Sequence, residues 1–95
     1  MTTFRYDAAK AICADVIAEW TDLPGELDTI TGYTFEQYLE LEQRLHQDVE
    51  PSQSDRDMLR RAAAQFDGYP GISTRHCETA LGDRWHDVVR GFGER

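Results

Sequence analysis

The stretch YDAAKAICADVIAEWTDL places Ala9, Ile12, Cys13, Val16, Ile17 and Trp20 at i, i+3, i+4, i+7, i+8 and i+11. That spacing is the 3.6-residue period of an amphipathic helix, and it gathers six apolar side chains onto one continuous face. Asp7 stands where the positive end of such a helix favours a carboxylate. Pro24-Gly25 predicts the stop, and LPGELDTITGY reads as a loop with a short extended piece at Thr29–Thr31.

The same period recurs downstream. Thr34-Phe-Glu-Gln37 has the form of a capping box and opens a second helix, expected to run to about Val49 and to end before Pro51. Ser54 is the expected cap of a third, DRDMLRRAAAQF, with Met58, Leu59, Ala62, Ala63 and Phe66 on one side. DGYPG is a turn, Thr74 to Leu81 a short helix, and Gly82 its punctuation. Asp83 is expected to cap a last helix whose Trp85, Val88, Val89 and Phe92 fall at i, i+3, i+4 and i+7. Repeats, low-complexity segments and paired strands are not seen. With 95 residues and 40% hydrophobic content, the reading is one all-α domain over residues 1–95, a small bundle of four to five short helices.

No apolar run approaches the roughly 18 residues needed to cross a bilayer. MTTFRYDAAK lacks the pattern of a secretory leader, so the expectation is a soluble cytoplasmic protein without a membrane partner. Cys13 and Cys77 are too few for a disulfide scaffold and are expected to be reduced and packed.

The net charge of −8 is unevenly divided. Residues 1–50 hold 11 acids against Arg5, Lys10 and Arg44, whereas residues 51–95 hold seven acids and seven arginines. On the first helix Asp15, Glu19 and Asp22 form a column beside the apolar stripe. On the second, Glu36 and Glu40 form another, continued by Gln43 and Gln47. Carboxylates on rigid helices approximate a row of phosphates and steer association with basic proteins. Asp15, Glu19, Asp22, Glu36 and Glu40 are therefore the expected contacts to a basic partner protein, one belonging to a nucleic-acid-handling machine. In composition the chain resembles small acidic single-domain inhibitors of nucleic-acid enzymes, phage-encoded anti-CRISPR proteins among them. What the resemblance implies is a non-enzymatic inhibitor or regulator. The plainer alternative is a structural subunit whose acidic face is only solvating.

A second alternative lies in GISTRHCETALGDRW. The run resembles the turn and second helix of a helix-turn-helix unit over about 20 residues. Gly71 suits the turn's positive φ, Ile72 packs beneath it, and Cys77, Ala80 and Leu81 point inward. A DNA-binding regulator of this kind would read bases with Thr74, Arg75 and Thr79 and hold phosphates with Arg84 and Arg90. Against it stand the single lysine of the chain and Glu78 beside Arg75.

Glu42 and His46 fall inside the apolar arc of Phe35, Tyr38, Leu39, Leu41, Leu45 and Val49. They form either a buried polar pair or an ordinary solvated i, i+4 pair. Phosphate-binding glycine loops, HExxH and CxxC are absent from the sequence. Cys13, His46, His76, Cys77 and His86 match no zinc spacing, so no catalytic set, metal or cofactor is expected. Phe4, Tyr33 and Tyr69 lie outside the stripes, as satellites of the core or as interface aromatics.

Overall fold

The computed structural model describes residues 4–69 and 71–93. Six α-helices follow in order: α1 (Tyr6–Trp20), α2 (Pro24–Thr31), α3 (Phe35–His46), α4 (Gln53–Gly68), α5 (Arg75–Leu81) and α6 (Trp85–Gly93). A 3-10 turn at Gly82–Arg84 joins the last two. The all-α reading holds.

The predicted stripe of α1 is the centre of the core. Ala9, Ile12, Cys13 and Val16 are buried, with Ile17 and Trp20 packed at the margin. Leu27, Tyr38, Leu41, Leu45, Met58, Leu59, Ala62, Cys77 and Val89 close around them. Each fully buried aliphatic side chain of this kind contributes about 1.5–3 kcal/mol. Helix α1 packs against all five other helices, α3 and α5 most extensively. Most of its circumference is therefore covered. The indole N–H of Trp20 donates to Gln65 Oε1 at 2.9 Å, adding a polar tie from α1 to α4.

Several local expectations are corrected. The segment read as a loop with an extended Thr29–Thr31 is the helix α2. Pro24 occupies its first turn, where the missing N–H is no loss. Gly32, at φ +83°, takes the left-handed C-terminal position and donates to the Asp28 carbonyl. Leu27 anchors α2 to the core, and the buried Thr31 hydroxyl donates back to the Leu27 carbonyl at 2.9 Å.

The capping box at Thr34 forms as expected, Gln37 N–H to Thr34 Oγ1 at 3.1 Å and Thr34 N–H to Gln37 Oε1 at 2.7 Å. The helix it opens stops at His46, short of Val49. Asp48 turns the chain with φ +58°, and Val49 is left 40% exposed. The cap of α4 is Ser52, not Ser54. Ser52 and Asp55 exchange side-chain-to-backbone hydrogen bonds, both at 3.1 Å, in a second capping box that starts the helix earlier. Asp83 lies inside the 3-10 turn rather than capping α6.

Both cysteines are free and fully buried. Burial pushes both thiols well above the ordinary thiol range. A thiol disulfide reagent should therefore label the native protein on the order of 100-fold more slowly than the urea-unfolded chain. Equal rates would mean that α1 and α5 separate readily. Phe4 packs edge-on against Tyr6 and Phe92, with the Arg56 guanidinium over its ring, and Tyr33 packs edge-on against Tyr38. Tyr69 is the exposed one of the three, at 45%.

Candidate functional site

Of the five carboxylates assigned to a partner, Asp15 is misassigned. It is fully buried, and all its capacity is used within the fold. Oδ1 accepts the backbone N–H of His76 at 2.8 Å, and Oδ2 accepts that of Cys77 at 2.9 Å. Oδ1 also lies 2.8 Å from Nδ1 of the His76 ring. A side chain of α1 thus supplies the N-terminal cap of α5. Thr74, the local candidate, does not cap; its hydroxyl donates instead to Glu78 at 3.1 Å. One turn along α1, exposed Glu19 accepts the Ser73 N–H at 3.1 Å. The predicted column on α1 is therefore largely a docking strip for the α4–α5 connection and α5.

Asp22, Glu36 and Glu40 are exposed, and Gln43 and Gln47 continue the α3 column into solvent. The missed helix α2 adds Glu26 and Asp28, likewise exposed. Helix α2 packs on α3, so Glu26, Asp28, Glu36 and Glu40 lie on adjoining helices, with Asp22 in the turn that leads into α2. Among the described residues none of the five has a cation within ion-pairing distance.

The neighbouring arginines are committed elsewhere. Arg44 pairs with the buried Asp55. Arg60 and Arg61 pair with Asp57, and Arg61 reaches the Thr31 carbonyl at 3.3 Å. The Tyr33 hydroxyl, donating at 2.7 Å, leads the contacts that hold the Asp57 carboxyl below the usual range, with Arg61 and Arg60 adding to it. These three arginines are therefore engaged by carboxylates of α4 and not by the exposed acids of α2 and α3.

Glu42 and His46 are not a buried pair. Glu42 is half-buried and His46 exposed, because these two positions border an open groove, whereas Tyr38, Leu41 and Leu45 of the same arc are buried in the core. This groove runs between α1, α3 and α5 and encloses about 530 Å³. Ala11, Ala14 and Ala80 line it with methyl groups, while Lys10, Arg75 and His76 stand on its α1 and α5 sides.

The expected DNA-reading residues divide among different surroundings. Arg75 and Thr79 line the groove, Arg84 lines a separate hollow beside Arg5 and Asp87, and Arg90 pairs with His86. Gly71 does adopt the positive φ of a tight corner, +97°. The helix after it rests mainly on α1 and secondarily on α6; α4 is not a main neighbour. In a helix-turn-helix unit the two helices pack on each other.

Searches against protein-family models, curated proteins and solved structures find no match for this chain. The site must therefore be judged on its own chemistry. Among the described residues no group of three or more His, Cys, Asp or Glu is placed to hold a metal ion. No helix among them is long and apolar enough to cross a membrane.

Sequence reasoning missed Glu26 and Asp28 as members of the acidic flank because their segment was read as a loop. The signal was present: Pro24 at the first position and Gly32 just past the end mark a short helix.

Proposed function

We propose that the protein is a non-enzymatic interaction module, an inhibitor or regulator that grips a basic surface on a nucleic-acid-handling partner. The observation that supports this reading is the set of exposed carboxylates Asp22, Glu26, Asp28, Glu36 and Glu40, unpaired among the described residues while nearby arginines are held by Asp55 and Asp57. A field of one sign on adjoining helices raises encounter rates with a cationic target and disfavours acidic ones. Asp15 has no part in it. Glu19, already engaged with Ser73, is a marginal contributor.

The reading predicts strong salt dependence, since exposed charges are screened over about 8 Å at physiological ionic strength. Pull-down from a lysate of the source cell compares the wild type with an Asp22/Glu26/Glu36/Glu40→Lys variant. Wild type should retain a basic nucleic-acid-binding protein that the variant captures at least about tenfold less, the loss expected when several steering charges are reversed. Raising the salt should release it from the wild type. Equal capture by both proteins would rule the acidic flank out as the contact.

A further inference from the structure

We propose that the groove between α1, α3 and α5 is a binding site for a small organic anion with an apolar body, of the alkyl carboxylate class. The inference is independent of the acidic flank, which uses other residues of the fold.

Shape is the first argument. The space of about 530 Å³ is within the range of pockets that take small molecules, and its exposed lining is predominantly apolar. Alanines create it: Ala11 and Ala14 on α1 and Ala80 on α5 carry no side chain beyond a methyl group. A helix face otherwise covered by neighbours is here left open along a strip of small side chains.

Charge is the second argument, and it names the occupant. Acids outnumber lysines and arginines 18 to 10 in the chain, yet this groove holds the single lysine, Lys10, together with Arg75. Neither has a carboxylate within 4.0 Å among the described residues. Two acids also line the groove. Asp7 is already held by the Arg5 guanidinium through two hydrogen bonds of 2.9 and 2.8 Å, which leaves Glu42 as the one acid without such a partner. Unpaired cations beside an apolar strip fit a ligand that is apolar along its length and anionic at one end.

The third argument is a fixed polar group on the groove wall. Buried Asp15 holds Nδ1 of His76, while half the imidazole side chain remains exposed. The ring is thereby oriented, and its other nitrogen is free to meet a polar ligand atom at low entropic cost.

The probes are octanoate, 1-octanol and octyltrimethylammonium, which share an alkyl chain and differ in charge. Amide resonances of the native protein are followed during titration with each. Octanoate should shift the amides of Ala11, Ala14, Thr79 and Ala80 saturably and bind more tightly than octanol, with the ammonium weakest. A Lys10→Gln/Arg75→Gln variant should bind octanoate about tenfold more weakly, as expected for the loss of charge-assisted contacts, with octanol unchanged. Ala14→Leu, which fills the strip with a longer side chain, should abolish binding of octanoate and octanol alike. Equal affinity for all three probes overturns the anion preference. Shifts confined to other surfaces, an absence of saturable shifts, or an Ala14→Leu variant that still binds overturn the site.

Discussion

Replacing Asp15 by alanine should lower the unfolding free energy by about 3 kcal/mol, read as a shift of the urea midpoint at unchanged slope. The carboxylate is fully buried and accepts the N–H groups of His76 and Cys77. Truncation leaves those donors without this partner, the Cys77 N–H in a buried setting, and an unsatisfied buried polar group costs about 1–3 kcal/mol. It also removes the side-chain cap that α5 has among the described residues, and a helix of seven residues cannot stand without tertiary support. A domain of this size is stable by roughly 5–14 kcal/mol, so the expected loss is a large fraction of the whole. Asp15→Asn keeps one acceptor oxygen and should fall between the two. His76→Ala should change little by comparison, because the ring is half exposed and the backbone bonds survive it. A loss below about 1 kcal/mol in Asp15→Ala would show that α5 is held by its apolar contacts alone.

Tyr38→Ala is the second large effect, expected at about 4 kcal/mol. Tyr38 heads the fully buried side chains by volume, its ring meets Tyr33 edge-on at 6.4 Å, and its hydroxyl donates to the Met58 carbonyl at 2.8 Å. Removal opens a cavity between α3 and α4 and deletes the hydroxyl's bond to that carbonyl, which keeps its helical partner within α4. Tyr38→Phe separates the two contributions, retaining the ring and losing about 1–1.5 kcal/mol for the hydrogen bond. On a thermal scan the alanine variant should melt roughly 15–30 °C lower, since 1 kcal/mol moves a domain of this length by about 4–8 °C. Similar losses in the two variants would assign the energy to the hydroxyl rather than to packing.

Much of the fold was legible because its elements are amphipathic and well punctuated. The stripes of α1, α3, α4 and α6 and the capping box at Thr34 are local signals, and local hydrogen bonding decides them. The failures are tertiary. Asp15 stands beside the stripe of α1 and reads as the edge of a solvated face. It is buried because α1 packs against every other helix, which no period within eighteen residues can reveal. Ser54 was read as a cap where Ser52, two residues earlier, forms the reciprocal pair with Asp55. Helix α2 was missed because Pro-Gly is a stop signal and a first-turn signal at once, and only Leu27 and Thr31 of its eight residues are buried to mark an inner side. The acidic candidates stay at the surface: Asp22 lies in the turn between α1 and α2, and Glu36 and Glu40 lie on the part of α3 that is exposed among the described residues. The adjacency of Glu42 and His46 was readable as spacing alone; the groove beside them depends on Ala11 and Ala14 of α1 and Ala80 of α5, which are distant in sequence.

The tie from residue 15 to residues 76 and 77 sets an order on how this chain can mature. The first helix leaves the ribosome before α5, and its carboxylate must stay hydrated until residues 76 and 77 have been made. A product that stops short of α5 would carry a carboxyl side chain without its partners at the middle of its would-be interior, and water would follow it in. The domain is therefore expected to consolidate only once α5 has been made. That late closure would leave chains lacking α5 open to proteolysis.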